Sequence, residues 1–150
     1  MILFLRTHSE NPDFKKLVIE LDAILKILDG EDHAFYADLN QTALLNQVLI
    51  AYENNLPVGC GAFRTYTENT VEIKRMYVPE LNRNKGIASK ILDELEAWAK
   101  ELGNTKCILE TGIIQVEAIG LYLKNGYEKI ENYGNYKGVA NSICFGKMIG

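Results

Sequence analysis

The residues of this 150-residue chain best placed for chemistry lie in a short charged turn, "RNKGIA", Arg83 to Ala88. The turn stands where a strand-like run passes into helical periodicity. The first turn of a helix carries backbone N–H groups without intrahelical partners and the positive end of the helix dipole. Gly86 lets a ligand approach the backbone, Ala88 leaves the next turn uncrowded, and Arg83 and Lys85 add positive charge. Such a turn can cradle a pyrophosphate. It can equally be the plain strand-to-helix connection that any α/β protein has. The patterns GxxxxGK[ST] and GxGxxG are both absent here, which disfavours an ATPase or a nicotinamide-dependent enzyme.

Nucleophilic and metal chemistry find less support. Cys60, Cys107 and Cys144 are far apart, form no CxxC and sit among apolar residues. They read as buried free thiols in a reducing, cytoplasmic compartment. His8 and His33 are isolated from carboxylates and cysteines at any useful spacing. No metal site and no Cys/His nucleophile is expected.

The elements that must position the charged turn follow from periodicity. "ILFLR" reads as a strand. "NPDFKKLVIELDAILKILDG" reads as a helix capped by Asn11, with Pro12 at its first position, Gly30 at its end and Phe14, Leu17, Leu21, Ile24, Leu25 and Leu28 on one face. "EDHAFYADLNQTALLN" is the least periodic part. "VLIAYE", "PVGCGAFRTYT" and "TVEIKRMYV" form an antiparallel meander with turns at "NNLP" and "ENT". Within the third of these, Val71 and Ile73 share one parity while Met76 and Val78 take the other. A β-bulge near Arg75 produces such a slip. Unless Tyr77 keeps the phase, the strand breaks there.

A helix then spans residues 85 to 102, with Ile87, Ile91, Leu92, Leu95, Trp98 and Leu102 as its apolar stripe and Gly103 as its cap. "TKCILET" must return parallel to "VEIKRMYV", because a helix separates them. A short helix in "QVEAIGLYLKNGY" stops at Asn125-Gly126, and "GYEKIENY" and "NSICFGKMI" close the chain as strands. The order predicts an α/β (α+β) domain over residues 1–150, with a mixed central sheet of six to seven strands flanked by helices.

Composition sets outer bounds. Hydrophobic residues make up 47% and charged residues 24%, as in a soluble globular protein. The formal net charge of -4 argues against a nucleic-acid partner. No apolar run approaches the ~18 residues of a membrane span, and "MILFLRTHSE" is too short in apolar residues for a signal peptide.

"MYVPELNRNKGIASKIL" resembles the acyl-CoA-binding motif of the GNAT family of N-acetyltransferases, R/Q-x-x-G-x-G/A, here Arg83, Asn84, Lys85, Gly86, Ile87, Ala88. "QVEAIGLYLKNGYEKI" resembles the family's second signature, Asn-x-x-Ala-x-x-x-Tyr-x-x-x-Gly-Phe/Tyr, matched by Ala118, Tyr122, Gly126 and Tyr127. Gln115 stands where the family usually has Asn, a longer side chain of similar chemistry. The resemblance spans residues 48 to 149, and the first 47 residues share only the layout.

The resemblance implies a fold, the acyl-CoA N-acyltransferase fold, and a role for each element. Backbone N–H groups of Arg83 to Ala88 hold the pyrophosphate of acetyl-CoA, with Gln115 at a further cofactor contact. The pantetheine arm pairs with Met76, Tyr77 and Val78 as an added strand. A bulge before them aims an N–H at the thioester carbonyl, where negative charge develops. Tyr122 matches the tyrosine that points at the sulfur of coenzyme A and is the candidate general acid. Glu72, opposite in parity to Val71 and Ile73, is either a solvated strand carboxylate or the base that takes the amine's proton. Glu110 is a second candidate base. Lys74 and Arg75 read as surface or phosphate-facing charges. Asp29, Glu31, Asp32 and Asp38 form either a solvated acidic loop or one wall of a cleft for a cationic amine, with the tyrosines of "YGNYKG" on the other wall.

The expected activity is acetyl transfer from acetyl-CoA to a primary amine, of a small molecule, by direct attack without a metal. The alternatives are a silent coenzyme-A-binding module on the same fold and an acetyltransferase for a protein or peptide amine. A homodimer is a common habit of the family.

Overall fold

The computed structural model describes residues 1–32, 35–37 and 45–150. Among them, seven strands run β1 (Ile2–Thr7), β2 (Gln47–Glu53), β3 (Leu56–Thr67), β4 (Thr70–Tyr77), β5 (Lys106–Gly112), β6 (Glu128–Ile130) and β7 (Ser142–Met148). They form one sheet in the order β1-β2-β3-β4-β5-β7-β6. Three helices are α1 (Pro12–Asp29), α2 (Ile87–Glu101) and α3 (Val116–Lys124), and residues 35–37 are also helical. β4 and β5 are parallel, as the intervening helix requires, while β1–β2, β2–β3, β5–β7 and β6–β7 are antiparallel. Packing divides the chain into two compact units, Met1–Arg64 with Lys74–Leu95, and Thr65–Ile73 with Glu96–Gly150.

In the first unit, α1 begins where Asn11 caps it. The Asn11 side chain accepts from the N–H groups of Asp13 and Phe14 at 2.9 and 3.4 Å, and Pro12 starts the helix without needing a donor. Phe14, Leu17, Val18 and Leu21 then fall on one face and pack on Val48, Ile50, Cys60, Ala62 and Tyr77. Each such burial stabilises by roughly 1.5–3 kcal/mol. The stripe fades after Leu21: Ile24 and Leu25 are half-buried and Leu28 is exposed. Asn54 and Asn55, at φ 53° and 66°, make the tight turn between β2 and β3 that "NNLP" predicts.

Strand parity gives β3 two different faces. Cys60 and Ala62 face α1, whereas Gly59 and Gly61 lie under Ile91 and Leu95 of α2. A Cβ at Gly61 would stand 2.6 Å from Met76 Sδ and 2.8 Å from Leu95 Cδ1. Glycine there lets helix and strand approach closely. Leu102, expected on the stripe of α2, lies past the helix end and is exposed, and Ala99 takes the buried position instead.

Arg75, in β4, has φ 59°, which no regular strand residue adopts, so the break falls where the alternation slips. Beyond it, Met76 and Val78 turn toward Gly61 and Gly59, while Tyr77 joins the core under α1. One expectation is corrected here. Lys74 and Arg75 are buried rather than surface charges, since β4 is an interior strand of the sheet and Asp22 of α1 stands against the Arg75 guanidinium.

In the second unit, β7 pairs with β5 over seven residues, from Lys106–Met148 to Gly112–Ser142, and with β6 over only three. The longer apolar run of β7 is thereby buried against the full length of β5, and the short β6 is left at the edge, where a short strand offers little surface for unwanted pairing. Behind them Glu96 accepts from Tyr127 Oη at 2.9 Å and from Lys147 Nζ at 2.7 Å.

Candidate active site

The charged turn is built in steps. Pro79 starts a 3₁₀ turn at Glu80–Asn82, closed by N–H donation from Asn82 to Pro79 and from Arg83 to Glu80 at 2.8 and 3.2 Å. Asn84 and Gly86 then take left-handed conformations, φ 65° and 76°, and swing the chain into α2. The Lys90 N–H donates to the Gly86 carbonyl at 3.1 Å, so the helical ladder starts at Gly86. The first amides of α2 therefore have no intrahelical partner. Arg83 to Gly86 are exposed, Ile87 is buried and Ala88 half-buried. Among the described residues, and its two chain neighbours aside, nothing lies within 4 Å of where a Cβ on Gly86 would stand. Glycine is needed there for its φ, and the space above it is open, as a diphosphate cradle requires. Arg83 is partly spent as a brace, its Nε donating to the Val78 carbonyl at 2.8 Å, and Lys85 stands 3.7 Å from Glu53.

The segment before the turn, Met76, Tyr77 and Val78, is held from the α1 side. Tyr77 Oη donates to Glu20 at 3.1 Å, and burial, then this carboxylate, push the phenol up to about 12. The Cys60 thiol donates to the carbonyl of Arg75 at 3.4 Å and so ties down the break. Burial pushes this thiol up to about 12, and Cys107 likewise. Such thiols are not nucleophiles at neutral pH.

In the second unit, the spacing around Tyr122 has a local cause. Gly126, at φ 90°, ends α3 in a Schellman motif: the Gly126 N–H donates to Leu123 and the Tyr127 N–H to Tyr122, at 3.2 and 3.0 Å. The apolar contact that accompanies this motif is Tyr122 against Tyr127, with ring centroids 5.9 Å apart, and Phe145 closes the other side at 6.1 Å. Tyr122 is thus buried, and its hydroxyl makes no hydrogen bond among the described residues. Burial first, and the charge of Glu110 second, raise this phenol well above its ordinary range, so it keeps its proton. Gln115 stands at the N-cap of α3 without capping it, and its side chain folds over Gly112.

Glu72 is 2% exposed. The solvated alternative for it is therefore excluded. Its Oε2 accepts from Tyr133 Oη at 2.6 Å, and burial and the Glu72 charge raise that phenol strongly. Tyr133 packs edge-on against Tyr66 at 5.1 Å and Tyr136 at 5.7 Å. Glu110 accepts from Ser142 Oγ at 2.6 Å. Of the acidic run, Asp29 ends α1, Glu31 and Asp32 lie in a 3₁₀ turn, and Asp38, like His33, falls outside the described residues. The sequence flags the "YGNYKG" tyrosines but not that Tyr133 reaches Glu72, nor that Asp22 reaches Arg75. These partners are 61 and 53 positions apart, beyond any local spacing signal.

Among the described residues no helix is long and apolar enough to cross a membrane. Residues 15–127 match the family described as Acetyltransferase (GNAT) family. An IAA acetyltransferase of Azospirillum brasilense is 33% identical over 123 residues, covering 81% of this chain and 80% of that protein. A crystal structure from Klebsiella pneumoniae, provisionally classed as an acyl-CoA N-acyltransferase, superposes with a TM-score of 0.85 at 28% identity, over 100% of this chain and 99% of the other. A GNAT acetyltransferase of Elizabethkingia anophelis with acetyl-CoA bound shares the fold, with a TM-score of 0.71 at 20% identity over 98% and 97% of the two chains.

Proposed function

The chain belongs to the acetyltransferase (GNAT) family, and we propose that it transfers an acetyl group from acetyl-CoA to the primary amine of a small molecule by direct attack. The observation that supports this reading most is the turn at Asn84 and Gly86, whose two left-handed residues present the start of α2 to open space. A helix start of this shape suits the diphosphate of coenzyme A. Arg83 to Ala88 hold that diphosphate through their backbone. Met76, Tyr77 and Val78 offer main-chain groups to the pantetheine arm, and Gln115 offers its amide. Bound acetyl-CoA supplies an acyl group already activated as a thioester.

Two proton transfers fall to the chain's own residues. Glu72 takes a proton from the ammonium of the acceptor, since only the free amine is nucleophilic. Tyr122, kept protonated by its apolar surroundings, gives its proton to the departing thiolate, and the second proton that the nitrogen sheds as the amide forms restores the phenol. The raised thiols of Cys60 and Cys107 favour direct attack over an acetyl-cysteine route.

Release of free thiol from acetyl-CoA, measured across a panel of small amines and peptides, tests the reading. Release stimulated by small amines is the expected result. Tight coenzyme A binding without stimulated release would make the protein a silent binding module. A consistent preference for peptides would move the acceptor to a protein amine.

A further inference from the structure

Arg75 concentrates two unfavourable features in one residue. Its backbone takes φ 59° inside a strand, a conformation that strains a long side chain. Its guanidinium is also buried, with the side chain 2% exposed, yet among the described residues Nε and Nη1 have no hydrogen-bond partner. Nη2 reaches Asp22 Oδ1 at 2.5 Å, but the Asp22 side chain is 56% exposed, so water screens the pairing. Nearby polar groups are engaged elsewhere. Tyr77 donates to Glu20, and the Cys60 thiol donates to Arg75's own carbonyl. Buried donors are almost always satisfied in native proteins, and a buried guanidinium with open donors is the costliest exception. Strain and open donors at one residue are the mark of a group kept for a ligand.

We infer that the Arg75 guanidinium seats a carboxylate carried by the acceptor, so that the amine acetylated also bears an acid group, as an amino acid does. This inference rests on the amine-transfer reading above and narrows its substrate class. The guanidinium offers a planar fork of N–H donors that fits a carboxylate. Asp22 occupies one arm of the fork from the solvent side. An incoming carboxylate displaces it at little cost, because the exposed Asp22 returns to water. With Asp22 and Glu20 both contributed by α1, a singly charged carboxylate meets less repulsion than a phosphate dianion.

The test compares matched acceptors: phenylalanine, phenylalaninamide and phenethylamine, and lysine beside cadaverine. The acids are expected to exceed their amides and decarboxylated partners by about tenfold or more in kcat/KM, the scale of one hydrogen bond to a charged group. Arg75→Gln levels that preference, and the change appears in KM for the acid. Should Arg75→Gln not fold, Arg75→Lys keeps the charge but loses the fork and still reduces the preference. No preference for acids, or an equal slowing of acids and amines by the variants, overturns the inference. A second measurement needs no turnover. Titrating the protein with N-acetylphenylalanine should shift the Nε–H resonance of Arg75, and N-acetylphenylalaninamide should not. If no amine is acetylated at all, the transferase reading fails and this titration alone decides the role of Arg75. An unmoved resonance then ends it.

Discussion

Tyr133 donates its phenolic hydrogen to Oε2 of Glu72 across 2.6 Å, although 61 positions separate them. The carboxylate lies inside the protein and keeps a donor that holds its orientation. Glu72→Gln preserves the shape and removes the base. It should lower kcat/KM by about 10²- to 10⁴-fold while coenzyme A still binds. An undiminished rate would take the base role from Glu72. Tyr133→Phe leaves a buried acceptor one donor short and should cost about 1–3 kcal/mol of stability, read in a urea titration.

Tyr122→Phe removes a hydroxyl and nothing else. Thiol release should slow markedly while the affinity for acetyl-CoA holds, because the ring packing on Tyr127 and Phe145 survives. An unchanged kcat would assign the acid role elsewhere. Gly126→Ala strains the φ 90° residue that sets the Schellman motif, by about 1–2 kcal/mol. It should therefore lower both stability and kcat by shifting Tyr122.

Gly86→Ala separates strain from binding. Among the described residues, and apart from its two chain neighbours, no atom lies within 4 Å of the new Cβ, so the fold is kept and the cost is that of φ 76°, about 1–2 kcal/mol. The added methyl does stand over the open helix start. Coenzyme A affinity, measured by calorimetry, should fall while the melting temperature drops only by the strain. Affinity equal to that of the unaltered protein would show that the diphosphate lies elsewhere.

Alkaline pH should destabilise the fold over a defined window. Unfolded, the thiols lose protons near 9.0 and the phenols near 10.0; folded, Cys60, Cys107, Tyr52 and Tyr77 hold theirs to about 12. Burial is the leading cause for all four, with Asp13 helping to raise Tyr52 and Glu20 helping to raise Tyr77. Above pH 9 the unfolded chain therefore binds fewer protons than the folded one. Stability complete below that pH is lost progressively toward pH 12. Urea midpoints measured along this series should decline, and should decline less in Tyr77→Phe. A rise in midpoint between pH 9 and 11 would contradict the assignment.

The element order was legible in the sequence because its causes are local. Helical spacing from Phe14 to Leu21 and the Asn11 cap mark α1, and the parity slip between Ile73 and Met76 marks the break at Arg75. The spacing from Tyr122 to Gly126 and Tyr127 is the length of a Schellman closure, so chain geometry alone places that tyrosine one turn before the end of α3.

Other features belong to the tertiary structure. Periodicity cannot order β7 between β5 and β6, because strands compete for partners by length and apolar content over the whole sheet. Nor can it tell a solvated Glu72 or Arg75 from a buried one. Alternation assigns a side chain to a face, and what covers that face comes from Tyr133 or from Asp22, far along the chain. The sequence by itself determined which residues could hold an anion and which could move a proton. Only the folded chain decided which of those charges leave water, because desolvation depends on everything packed around a group and not on its neighbours in sequence.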